Sequence, residues 1–385
     1  MFHASPANVK NRTLAAITCA VAMLAACARP DAKPQTPPRD ESIVWTGKGG
    51  GFAFWGDCGE YVYAASVTPR VLEVYKWTDG TLKQESEVPL AGNVSSAQLL
   101  SGGRYVAESW RPTPGGIDSL AGRIESIVEI RHLKTGDLRA KSVVAGDGMD
   151  HHEISRPSAN GRHVVFWKSI FAARSSAQPH SEIRFGRIDT KTGQIDWVGL
   201  LTGRHGADGT MRTVVPSDDG RYIAVAGWDN GVVVLDVAQK KVLWTKGYEV
   251  DCVYIAFSPD STLVYAGGMK GIVYGMEVKT GKIVSKWFAS ESGKEESGHR
   301  ISTISVSPDR RYVAAGTGPE GQVFVFSTKT GKLVKRLDHG GLTILITSFS
   351  PDSKRLASVA AGRIKTWRMP DESAPEADKA ASKSQ

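Results

Sequence analysis

Ile304-Ser305-Val306-Ser307-Pro308-Asp309-Arg310-Arg311-Tyr312-Val313-Ala314-Ala315-Gly316 sets an apolar run, a polar turn and a second apolar run end to end. The turn recurs as Ser258-Pro259-Asp260 and Ser350-Pro351-Asp352. Degenerate copies stand at Pro216 to Gly220, Pro157 to Gly161, Ser101 to Gly103 and Gly56 to Gly59. The residue that opens the second run is then Tyr61, Tyr105, His163, Tyr222, Leu263, Tyr312 and Arg355, at spacings of 44, 58, 59, 41, 49 and 43. Short apolar runs bounded by turn residues read as strands.

A second marker keeps the same period. Lys-Thr-Gly begins at Lys134, Lys191, Lys279 and Lys329, each time between two β-like runs, and its glycine supplies the positive φ of a hairpin turn. Between two such markers the strands are expected at Thr213 to Val215, Tyr222 to Ala226, Val232 to Val237 and Val242 to Thr245. Their continuous apolarity fits strands covered on both faces. Four short strands in a unit of about 40 to 50 residues is the period of a propeller blade. The expected fold is therefore all-β, a single seven-bladed β-propeller over 43–369. Ile364-Lys365-Thr366-Trp367 ends the last unit without a fourth strand, while Ile43-Val44-Trp45-Thr46 resembles the fourth strand Val242-Leu243-Trp244-Thr245. The N-terminal strand is thus expected to close the last blade, hiding edges that invite aggregation. Polar residues 370–385 are expected to form a disordered tail.

The N-terminus reads as an address. Lys10 and Arg12 precede an apolar run from Leu14 to Leu24, which fits a secretory leader and is too short to span a bilayer. The run ends in Leu24-Ala25-Ala26-Cys27, which resembles the lipobox of bacterial lipoproteins. That resemblance implies a signal peptide over 1–26 and lipidation of Cys27, and multiple acyl chains anchor stably. Ala28 in place of aspartate implies sorting to the outer membrane facing the periplasm, with the inner membrane or cell surface as alternatives. Residues 27–42, rich in proline and charge, are expected to form a flexible tether.

Composition adds exclusions. The formal charge is +8, two units of which leave with the leader, and no compact basic stripe with interleaved aromatics appears, so nucleic acid is not an expected partner. Of the four cysteines only Cys58 and Cys252 belong to the body, in non-adjacent blades, and they are expected not to pair.

The cassettes resemble the WD-repeat family. Gly298-His299 precedes Ile304 to Asp309, and Thr366-Trp367 stands where that family has Trp-Asp; other units carry Leu235-Asp236, Met276-Glu277 or Phe326-Ser327 there. This departure bears on the family's internal His-Asp hydrogen-bond network. A second resemblance, through Ile188-Asp189-Thr190-Lys191-Thr192-Gly193 and Trp197, is to quinoprotein-like propellers, a repeat shared with outer-membrane-assembly lipoproteins.

No Walker loop, nucleophile elbow or paired-cysteine metal site is present. Asp150-His151-His152-Glu153 has metal-ligand chemistry, but neighbouring strand residues point to opposite faces, so the two histidines converge only in a loop. A structural histidine preceding a blade's first strand is the expected role, and no metal or cofactor is assigned. Long segments are expected between second and third strands at Glu108 to Arg123 and Trp167 to Ser181, and between blades at Ala140 to Glu153 and Leu200 to Arg212. All four gather on one face of blades two to four. Trp110, Arg111, His151, His152, Phe171, Arg174, Arg204 and His205 are the expected partner-binding residues there, being of types enriched in interface hot spots. The expected function is that of a non-enzymatic, lipid-anchored monomer binding a protein or envelope polymer. The alternatives are an outer-membrane-assembly-type factor and a propeller enzyme, either a quinone-dependent dehydrogenase or a lactonase.

Overall fold

The structure is a computed structural model that describes residues 41–46, 51–55, 61–66, 71–78, 81–89, 93–100, 105–111, 123–132, 135–147, 151–155, 158, 163–169, 181–189, 194–203, 211–227, 231–247, 252–290, 299–360 and 363–370. All belong to one unit, Asp40–Gln385. Every regular element among them is a strand.

The chain opens with β1 (Glu41–Thr46) and then lays down antiparallel sheets in sequence order. The first comprises β2 (Gly51–Trp55), β3 (Tyr61–Ser66), β4 (Val71–Thr78) and β5 (Thr81–Pro89). The second holds β6 (Asn93–Leu100), β7 (Tyr105–Arg111), β8 (Arg123–His132) and β9 (Leu138–Asp147). Two pairs follow, β10 (His151–Ile154) with β11 (Phe166–Ser169), and β12 (Ser181–Asp189) with β13 (Gln194–Gly203), and β11 lies beside β12. Next come β14 (Met211–Pro216), β15 (Tyr222–Gly227), β16 (Gly231–Asp236) and β17 (Lys241–Lys246). After these stand β18 (Cys252–Phe257), β19 (Leu263–Gly268), β20 (Ile272–Glu277) and β21 (Ile283–Phe288). The following sheet has β22 (Arg300–Val306), β23 (Tyr312–Gly318), β24 (Gln322–Ser327) and β25 (Leu333–Asp338). The last has β26 (Ile344–Phe349), β27 (Arg355–Ala360) and β28 (Arg363–Arg368), with β1 as its fourth strand. Glu41 pairs with Trp367 and Thr46 with Arg363, so the N-terminal segment completes the C-terminal sheet.

Burial explains the apolar runs. In β15 and β16 every residue is buried, whereas no residue of β17 is and half of them are exposed, so the middle strands are covered on both faces and the fourth strand is a wet edge. The cover comes from the neighbouring sheets. Tyr222, Ala224 and Val234 share one core with Val264, Tyr274 and Met276, and Tyr265 and Val273 share the next with Ile304, Val313 and Phe324. Burying side chains of this size stabilises by roughly 1.5 to 3 kcal/mol each. First strands contact first strands, β14 with β18, β18 with β22, β22 with β26, and β26 with β2. Side-chain hydroxyls stitch this inner row together: Thr213 Oγ1 donates to the Val253 carbonyl at 2.7 Å, and Ser302 Oγ to that of Ile344 at 2.6 Å.

The Ser-Pro-Asp turns share one geometry. Ser307 Oγ donates to Asp309 Oδ1 at 2.7 Å and accepts from the Tyr312 amide at 2.9 Å, and Ser258 and Ser350 repeat both bonds. Ser217 does the same for Tyr222. Ser158 Oγ likewise accepts from the His163 amide at 3.1 Å, so His163 fills the expected opening slot although regular pairing of β11 begins at Phe166. The fourth residue of each turn reaches the turn of the preceding sheet. Ser261 Oγ accepts from the Asp219 amide, Arg310 Nη1 donates to Asp260, and Ser353 Oγ accepts from the Asp309 amide.

The long segments are shorter than expected. β7 runs on to Arg111, β9 to Asp147 and β13 to Gly203, while β10 starts at His151. Much of Ala140 to Glu153 is therefore paired strand, and only 204–210 of Leu200 to Arg212 separates two strands. Extending the ladders satisfies backbone amides that a loop would leave to water; Arg123 pairs with Asp147 and Ser181 with Gly203 at the far ends.

Candidate interaction end

Antiparallel order gives each sheet two ends. The turn end carries the Ser-Pro-Asp turns and the Lys-Thr-Gly hairpins. The connection end carries the turns between second and third strands and the links from sheet to sheet. Backbone bonds join its parts: the Ala289 amide donates to the Gly271 carbonyl and the His339 amide to that of Gly321, both at 2.8 Å.

Trp110 and Arg111 are the last residues of β7, where Trp110 pairs with Ile127 and Arg111 with Asn93. His151 and His152 open β10 opposite Ser169 and Lys168. The topology brings all four to the connection end. The histidine pair occupies consecutive positions of a paired strand, which alternate between faces, so the loop geometry needed for joint metal ligation is not met. Among the described residues no cluster of three or more His, Cys, Asp or Glu has metal-holding geometry. Phe171, Arg174, Arg204, His205, Cys27 and Cys58 lie outside the described residues. Cys252 is a buried thiol.

Two histidines on sheet-to-sheet links show what this end is made of. His299 stands before β22, edge-on to Phe324 at 5.7 Å, with Nδ1 3.8 Å from Glu320 Oε2. His339, which sequence reasoning did not single out, stands on the next link but in another slot, directly after β25, where Ala289 stands after β21. It is fully buried, and Nε2 donates to the Ser358 carbonyl at 3.2 Å. Trp367 Nε1 in turn donates to Ser358 Oγ at 2.7 Å. Histidine, serine and tryptophan thus join three segments of the last sheet through Ser358. The signal for it was Asp338-His339, one link after Gly298-His299. Burial pushes the His339 pKa down to about 4, against the raising effect of its bond to Ser358, and the nearby Lys365 charge pushes it further the same way.

This chain of groups is not a nucleophilic device. Ser358 Oγ is buried and accepts from an indole, and His339 binds the backbone oxygen rather than the hydroxyl. A neutral, dry histidine and a sequestered serine can brace a sheet end.

At the turn end two glycines lie close to tryptophans. A β-carbon on Gly281 would lie 2.7 Å from Cδ2 of Trp244, and one on Gly331 would lie 3.0 Å from Nε1 of Trp287. These two Lys-Thr-Gly turns therefore sit against the tryptophan of the preceding sheet's outer strand, whereas Gly136 has no heavy atom within 4 Å of where a β-carbon would go. Trp244 Nε1 also donates to the Val278 carbonyl of that turn at 2.7 Å.

No family model matches the chain. The chain is similar to Autophagy-related protein 16 of Arabidopsis thaliana, with 26% identity over 242 residues, covering 52% of this chain and 45% of that protein. It thus spans less than half the length of that relative.

Proposed function

We propose that residues 43–369 form a seven-bladed β-propeller of mixed WD-repeat and quinoprotein-like type, exported and held to a bacterial outer membrane by lipid on Cys27. It acts as a non-enzymatic scaffold that binds a protein or envelope polymer at the connection end of blades two to four. The observation that carries this reading is the sequential packing of first strands from β14 to β26 and on to β2, with β1 completing the last sheet. Function on such a ring concentrates where the frame is rigid and the connecting segments are free to vary. Trp110, Arg111, His151 and His152 share that end, and the long segments bearing Phe171, Arg174, Arg204 and His205 depart from it.

The second reading, an outer-membrane-assembly-type factor, draws on the quinoprotein-like Lys-Thr-Gly sequence of Lys191 to Gly193 followed by Trp197, and on two further Lys-Thr-Gly turns that sit against tryptophans, Gly281 on Trp244 and Gly331 on Trp287. Affinity purification from detergent-solubilised envelope tests both. A captured species lost in Trp110→Ala and Arg174→Ala variants that melt like the parent supports the face, and undiminished capture removes it. Unchanged membrane association and electrophoretic mobility in Cys27→Ala would remove the anchor.

A further inference from the structure

Among the described residues six large apolar side chains are exposed, and five of them share one structural position. Leu138, Val242, Ile283, Val284 and Leu333, 36 to 48 % exposed, are the first or second residues of outer strands, directly after the hairpin that ends the third strand. Isolated exposed apolar residues are ordinary. Recurrence at the same rim of four sheets, with Met269 alone elsewhere, is not.

Cations share the rim. Lys240 and Lys241, Lys279 and Lys282, and Lys329 and Lys332 are all exposed on three of these hairpins, whose acids are Asp236 and Glu277, while the hairpin before Leu138 carries the exposed Asp137, which accepts from Thr135. Asp236 is buried beside Arg221, and Glu277 accepts from Thr280. The Asp260, Asp309 and Asp352 carboxylates are folded back into their own turns. The chain also enters the fold here. Because Glu41 pairs with Trp367 and Thr46 with Arg363, β1 runs away from the turn end, and whatever precedes Glu41 departs from it.

We propose that the turn end is a membrane-apposed surface, its lysines against anionic lipid headgroups and its apolar rim residues in the interface, so that the connection end faces away from the bilayer. This rests on the anchored reading above and adds the side that faces the lipid. Apolar and cationic groups interleaved on one rim suit an anionic bilayer surface, where each lysine contributes roughly fivefold in partition. A rim built for an acidic protein would not need an apolar residue at the same position of four sheets.

The test uses the full chain, reconstituted through its own N-terminus into phosphatidylglycerol vesicles, with lysine acylation rates read residue by residue. Lys241, Lys282 and Lys332 are expected to react at least fivefold more slowly than in detergent, with Lys270 on the connection end unchanged. Phosphatidylcholine vesicles or molar salt should relieve that protection. A K241E/K282E/K332E variant should lose protection at Lys279 and Lys329. Chain that floats with the vesicles but shows detergent-like rates at the three lysines, or protection at Lys270 instead, overturns the orientation and leaves the anchor standing. Chain that stays out of the vesicle fraction overturns the anchor, and the orientation with it.

Discussion

Gly281 lies flat against the indole of Trp244, so close that a β-carbon would stand 2.7 Å from Cδ2. Its φ is +69°, and the equivalent Gly136 has φ +72° with no heavy atom within 4 Å of where a β-carbon would go. The pair separates backbone strain from packing. Gly136→Ala should cost about 1 to 2 kcal/mol, the left-handed penalty alone. Gly281→Ala adds overpacking of about 1 to 3 kcal/mol. Denaturant midpoints of the two variants check this, and equal losses would remove the packing contribution.

The turn hydroxyls should matter more than the turn ion pair. Ser307 is buried, and its Oγ bonds both Asp309 and the Tyr312 amide, so Ser307→Ala leaves two groups short and should cost about 1 to 3 kcal/mol. Arg310 is well exposed in its bond to Asp260, so Arg310→Ala should cost under about 1 kcal/mol and matter less at high salt. Urea unfolding of both variants in low and high salt gives the comparison.

Acid should act on the fold in two steps. His339 has its pKa lowered from 6.5 to about 4, so the unfolded chain binds the proton first. The His339 contribution is fully present above 6.5 and is lost as pH falls from there to about 4, with a ceiling of about 3 kcal/mol. A second loss follows at lower pH. Partial burial raises the Asp260 carboxyl, but hydrogen bonds from Ser258, Thr262 and Arg310 outweigh it and hold its pKa at about 2, so its contribution is lost as pH falls from 3.8 toward 2. His339→Gln should flatten the upper step and spare the lower one. A variant with the parent's slope between pH 6.5 and 4 would show that His339 is not the group titrating.

The strand starts were legible because the turns are chemical. Tyr222, Leu263, Tyr312 and Arg355 each open a second strand since the hydroxyl of the serine five residues earlier accepts a hydrogen bond from their amide. The same bond from Ser158 justifies His163, although pairing there begins later. The pairing of β1 with β28 was legible in the likeness of Ile43 to Thr46 to an outer strand. Strand ends were less so, because Ser109-Trp110-Arg111 and Gln194 to Gly203 mix polar and apolar residues without a stop signal, and pairing continues wherever a partner backbone is in reach. His339 escaped notice because its partners, Ser358 and Trp367, are joined to it only by the fold.

Thermal unfolding of the chain without residues 41–46 tests ring closure most directly. β28 is buried at Ile364, Thr366 and Trp367, and loss of β1 bares its backbone edge to water and to other chains. The truncated chain should melt lower by roughly 10 °C or more, or lose its single cooperative transition. A midpoint equal to that of the intact chain would contradict a closed circle of sheets.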